Sequence, residues 1–265
     1  MKLYQVDAFS KSMFKGNPAA VCLLSEKQPD SWMRSLAQEM NLSETAFLEK
    51  TTDGYSLRWF TPTREVELCG HATLATAHIL YSESHELAET ELRFQTRSGL
   101  LTARLIEGQI ALDFPGILPS PVTAKPEILN ALGLDRCLDY QEARHHTVIR
   151  LENPQQVQDL RPDFLALEAV SSGLVMATAA GTGDFDFVSR VFATYAGINE
   201  DPVTGAAHCC LTPYWDGILG RSGGTMRAYQ ASERGGELTL ASLGSRVSLR
   251  GFARTVFQGE LLVDP

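Results

Sequence analysis

At 265 residues, 44% hydrophobic and 21% charged, the chain is long enough for one large or two modest globular domains, each with its own core. The formal net charge of -9 argues against nucleic acid or an anionic membrane surface as the main partner, and no apolar run reaches the length of a membrane span. The opening "MKLYQVDAFS" has no apolar signal stretch and the five cysteines have no regular spacing, so reduced thiols and a cytoplasmic location are expected.

In chain order, the first clear element is a helix in "DSWMRSLAQEM". Trp32, Met33, Leu36, Ala37 and Met40 share one face, and Asp30 is placed to cap it. "TAFLEK" and "YSLRWF" follow as strands. Asp53-Gly54 between them is a hairpin signal, and Tyr55, Leu57 and Trp59 alternate with Ser56, Arg58 and Phe60. "GHATLATAHILY" is small and apolar almost all round. A helix without a polar face belongs inside a sheet, not on its surface. "LLTARLIEGQIALDF" gives two more strands around Glu107-Gly108, and the proline-rich "GILPSPVTAKP", residues 116–126, reads as a linker.

Beyond the linker the pattern recurs. "NPAAV" at Asn17 matches "NPQQV" at Asn153, and Arg58 in "DGYSLRWF" matches Arg190 in "FDFVSRVF". Gly70 in "CGHATLATAHIL" matches Gly205 in "TGAAHCCLTPYW", and Arg93 matches Arg227. A period of this size is that of a domain, unlike the short periods of solenoids. The expected fold is therefore α+β, with two strand-rich halves, each curled around one buried helix.

Helix N-termini present unpaired N–H groups and the positive end of a dipole. Two such starts, at Gly70 and Gly205, facing one cleft could hold a carboxylate and stabilise enolate-like charge beside it. That setting suits proton abstraction next to a carbonyl without a cofactor. Neither a P-loop nor a dinucleotide glycine fingerprint follows any strand. A metal is not expected. Cys69, His71, His78, His208, Cys209 and Cys210 are suggestive by type, but "CGH" and "HCC" lack the ligand gaps of structural zinc sites.

The segments "QVDAF", "GNPAAV", "NLSETAF", "RWFTPTREVELCGHATLATAH", "FVSRVFATYAGINEDPVTGAAH" and "ERGG", in that order, resemble the PhzF-like phenazine-biosynthesis isomerase family, from Gln5 to about Gly251. The resemblance implies the diaminopimelate-epimerase fold. Each of two pseudo-symmetric halves is then a barrel-like, mostly antiparallel sheet around a central helix, with the active site between them. The expected halves are 1–115 with a C-terminal strand at about 253–265, and 116–252. The resemblance also implies a cofactor-free homodimer acting on a small carboxylic acid, as in trans-2,3-dihydro-3-hydroxyanthranilate isomerisation.

By the same resemblance Glu44 is the acid/base, with His71 and Asp201 completing the catalytic set. Ser43, Gly70, Gly205 and Ala206 contact the substrate. Alone, the residues leave alternatives open: Asn41 and Glu44 as a capping pair, His71 as a core histidine, Asp201-Pro202 as a turn. The family usually has serine where this chain has Ala206, so one hydroxyl donor is missing. Cys69 stands where related epimerases carry a catalytic thiol, but its counterpart is Thr204, so it is expected to be a small buried residue. The alternatives are an epimerase or dehydratase using Cys69, and a binder without turnover.

Overall fold

The computed structural model describes residues 1–221 and 223–262. The chain divides into two compact units, Met1–Asp113 with the residues from Arg250 on, and Phe114–Leu249. No helix among the described residues is long and apolar enough to cross a membrane.

The first unit holds β1 (Lys2–Ala8), β2 (Asn17–Leu24), α1 (Asp30–Met40), β3 (Glu44–Thr51), β4 (Gly54–Phe60), β5 (Glu65–Val66), α2 (Gly70–Ser82), β6 (Leu92–Thr96), β7 (Gly99–Ile106) and β8 (Gln109–Pro115). The second holds β9 (Ser120–Pro121), α3 (Pro126–Ala131), β10 (Asp139–Ala143), β11 (His146–Arg150), α4 (Pro154–Asp159), α5 (Phe164–Val170), β12 (Leu174–Ala180), β13 (Phe187–Phe192), α6 (Gly205–Leu219), β14 (Thr225–Gln230), β15 (Gly236–Leu243) and β16 (Arg246–Gly251). β17 (Ala253–Glu260) belongs to the first unit, where it pairs with β1. Of the C-terminal strand expected to about residue 265, positions 263–265 lie outside the described residues.

Among the described residues each unit is mostly antiparallel, with parallel pairs at matching places. β2–β3 and β4–β6 are parallel in the first, β11–β12 and β13–β14 in the second. The registers match as well: Tyr55 pairs with Phe94, and Phe187 with Ala228. The expected hairpin is present, with β3 and β4 antiparallel from Thr51–Gly54 onward. At the β7–β8 turn Glu107 and Gly108 both have positive φ, the geometry a tight two-residue hairpin requires.

Both long apolar helices are buried. α2 lies against β1, β2, β3 and β17, with His71 through Ala77, Ile79 and Leu80 out of solvent. Two of its threonine hydroxyls are satisfied locally, Thr73 donating to the Cys69 carbonyl and Thr76 to that of Ala72. In α6, Thr212 likewise donates to the His208 carbonyl. The amphipathic α1 instead covers the outer face of its sheet, where Met33, Leu36 and Ala37 pack with Phe47 and Phe60.

Three expectations need correction. Asp30 does not cap α1: Pro29 occupies the cap position, and the Asp30 carboxylate accepts from Arg58 Nη1 at 2.8 Å. Segment 116–126 is not a free linker. β9 pairs with β10, Val122 N–H donates to the Tyr140 carbonyl, and α3 begins at Pro126. Its Ile117 N–H also donates to the Cys209 carbonyl at 2.9 Å. That carbonyl is the one Pro213, inside α6 and without an N–H, cannot serve. Finally, "NPAAV" and "NPQQV" are not equivalent. Asn17 opens a strand, whereas Asn153 caps α4 by accepting from Gln156 N–H at 2.9 Å.

Candidate active site

In the first unit β2 and β3 run parallel, with Ala19 opposite Glu44, and α2 packs across them. Glu44 is the first residue of β3 and half-buried, with half-buried Ser43 just before it. This strand assignment removes the capping-pair alternative; Asn41, left-handed at φ 49°, closes α1 instead. Glu44 Oε2 lies 3.2 Å from Nε2 of His71, the second residue of α2. On the other side of the ring, His71 Nδ1 is 3.3 Å from the Asn17 amide nitrogen and 3.5 Å from Cys69 Sγ. The β-strand starts and the helix start thus converge on one imidazole.

His71 is only 5% exposed, and burial drives its pKa down to about 3, because a charged ring would lose its hydration. It is therefore neutral at neutral pH, even beside a carboxylate. Among the described residues its Nε2 has no hydrogen-bond partner: the Glu44 oxygen is near but not aligned with it. This is not the satisfied core histidine that position alone would suggest. A buried neutral imidazole with an unused nitrogen beside a half-buried carboxylate can donate to a bound oxygen while the carboxylate handles a proton.

Asp201 is in the second unit, as are Gly205 and Ala206. Its carboxylate accepts from the Thr204 hydroxyl at 2.5 Å, and its carbonyl accepts from Gln230 Nε2 at 2.6 Å. Gln230 Oε1 in turn accepts from Thr204 N–H at 2.9 Å, and Ser232 holds the Pro202 carbonyl. The "EDPVTG" stretch is pinned by side chains of β14 and the turn beyond it. Among the described residues neither α2 nor α6 is capped by the side chain preceding it, Cys69 or Thr204. Gly205 is buried and Ala206 exposed.

Sequence reasoning marked Glu44, His71, Gly70 and Ser43, which the fold brings together. It missed Asn17 and Gln230. Both are fully buried polar residues. Cys69 is buried as expected, but it touches the imidazole and is more than a space-filling residue. Among the described residues Glu44, Cys69 and His71 also form a group whose donor atoms lie within 4.8 Å of one another. The thiol and the carboxylate, however, approach opposite ring nitrogens. The other metal candidates disperse. His78 bonds Thr255, His208 stacks on Phe187, and burial raises the Cys209 and Cys210 thiols to about 12, unfavourable for the thiolates a metal needs.

The family model described as phenazine biosynthesis-like protein matches residues 6–259. An uncharacterised isomerase of Halalkalibacterium halodurans is 47% identical, covering 98% of both chains. The crystal structure of a PhzF-family protein from Enterococcus faecalis superposes with a TM-score of 0.93 at 44% identity, covering 99% of both chains. At 13% identity a hydroxyproline epimerase from Agrobacterium vitis shares the fold alone, with a TM-score of 0.60 over 100% of this chain and 93% of the other. With its α+β architecture and match from residue 6 to 259, the chain belongs to the PhzF-like, phenazine biosynthesis-like protein family.

Proposed function

We propose that the protein is an isomerase that moves a proton on a small carboxylic acid without a cofactor, with Glu44 as the single acid/base. The family and its isomerase and epimerase neighbours support the broader class, isomerase or epimerase. The observation that carries the finer reading is the half-buried Glu44 carboxylate 3.2 Å from a neutral, buried His71. A carboxylate partly removed from water beside a neutral donor suits abstraction of an acidified C–H and return of the proton elsewhere. By the resemblance Asp201, which Thr204 and Gln230 fix, is the residue that holds the substrate, and the start of α2, next to His71, supports anion binding by its amides. Ala206 offers its N–H but no hydroxyl, so the preferred acid differs from that of relatives with serine there.

Cys69 supports a second reading, an epimerase or dehydratase, because its sulfur is 3.5 Å from His71 Nδ1. One experiment separates the two. A panel of small acids with activated C–H bonds, including trans-2,3-dihydro-3-hydroxyanthranilate, is incubated in D2O with wild type, Glu44→Gln and Cys69→Ser. Deuterium should enter carbon with wild type and Cys69→Ser and be lost with Glu44→Gln. Loss with Cys69→Ser and retention with Glu44→Gln would replace the first reading by the second, and no exchange with any acid would favour a binder.

A further inference from the structure

Asn17 is completely buried, and its backbone is fixed from several directions. It opens β2 opposite Ala8 of β1. The loop before it is locked by the Asp7 carboxylate, which accepts from Phe14 N–H at 2.6 Å, and by Ser10 N–H donating to the Phe252 carbonyl at 3.1 Å. Arg254 Nε adds a bond to the Lys11 carbonyl at 2.9 Å. The amide of Asn17 therefore has little freedom to leave the imidazole it touches.

An amide nitrogen can only donate, so the ring nitrogen it meets must accept. The Cys69 thiol, on the same nitrogen, is consistent with this, since S–H is a donor too. A neutral imidazole carries one proton, and with Nδ1 accepting, that proton sits on Nε2. The reverse tautomer would leave a bare Nε2 lone pair with the Glu44 oxygen only 3.2 Å away, two acceptors crowded together in a buried place.

We infer that Asn17 is a positioning residue that sets the tautomer of His71, so that Nε2–H faces the Glu44 side of the site and donates to an oxygen of the substrate. His71 is then a hydrogen-bond donor and cannot serve as the proton acceptor. The substrate accordingly carries a carbonyl, hydroxyl or carboxylate oxygen next to the C–H that Glu44 attacks. This deepens the proposed function and rests on Glu44 being the base, but the ring proton is read directly, without turnover.

The test is long-range proton–nitrogen correlation NMR on histidine-labelled protein at pH 7, with the His71 signals assigned by their loss in His71→Asn. Wild type should show the Nε2–H pattern. Asn17→Asp, nearly the same shape but an acceptor only, should move the proton to Nδ1 or charge the ring, and so raise the pH at which His71 titrates. A wild-type Nδ1–H pattern, or an unchanged pattern in a folded Asn17→Asp protein, overturns the inference. Because the wild-type spectrum decides by itself, a variant that fails to fold does not shelter the idea. If the tautomer is as stated but Glu44→Gln keeps deuterium exchange, the functional reading fails and the inference about Asn17 stands.

Discussion

Arg58 and Arg190 do the same thing in their respective units. Arg58 grips Glu65 with two bonds of 2.8 and 2.6 Å, and Arg190 grips Glu200 with two of 2.8 and 2.7 Å. Each guanidinium also lies over the phenylalanine two residues further on, at 5.1 Å from Phe60 and 5.2 Å from Phe192. A strand places residues i and i+2 on one face, so an arginine over an aromatic ring is built locally and then tied to an acid from the next segment.

The two arginines are not equally replaceable. Arg190 is the more buried, and its Nη1 also serves the carbonyls of Val157, Gln158 and Leu160. Glu65, by contrast, keeps a second partner in Arg97 at 2.6 Å. Arg190→Ala should cost about 3 kcal/mol and Arg58→Ala about 1 kcal/mol in urea unfolding. Equal losses would show that the extra carbonyls and Arg97 carry no weight.

Gln230→Met keeps the volume and removes both polar functions. It removes the Gln230 bonds to the buried Thr204 N–H and to the Asp201 carbonyl, and stability should fall by about 2 kcal/mol. Amide exchange at Thr204 should rise well beyond what that global loss explains. Exchange rising only in step with global stability would mean that Gln230 does not hold the loop locally.

Acid should destabilise the protein through its buried histidines. Burial holds His71 near 3 and His208 near 4, although His208 also bonds the Thr204 carbonyl, which favours its charged form. Unfolded, both titrate near 6.5, so below that pH the unfolded chain binds more protons than the folded one. Stability is then fully present above about pH 6.5 and falls as pH drops toward the folded values, by about 1.4 kcal/mol per unit for each histidine. Burial lowers His78 and His146 in the same direction, so unfolding measured between pH 7 and pH 5 should show a slope of this sign that is smaller, but not abolished, in His71→Asn. An unreduced slope would assign the acid sensitivity elsewhere.

Gly16 is held at φ +69°, and a β-carbon there would sit 2.1 Å from the Ala8 carbonyl oxygen. Both the left-handed backbone and the contact exclude a side chain. Gly16→Ala should lose about 2 kcal/mol or more and shift the His71 ring signals, because Asn17 is the next residue. Unshifted ring signals would mean that Asn17 finds its place without the turn.

What the sequence determined alone is what depends on neighbours along the chain. "GHATLATAHILY" has no polar face, and it is a buried helix; Asp53-Gly54 between alternating runs is a hairpin; the recurring Arg, Gly and Arg positions mark matching elements in matching registers. Family motifs placed Glu44 and His71, and the fold put them 3.2 Å apart. Local pattern misled where a short motif has more than one use, as with "NPAAV", a strand start, against "NPQQV", a helix cap. It could not reach Asn17 or Gln230 at all. Their partners lie 54 and 26 residues away, and only parallel strand pairing and helix packing bring such groups into contact. Burial likewise belongs to the tertiary structure: the same imidazole in water would titrate near 6.5, and it is the packing around α2 that keeps it neutral.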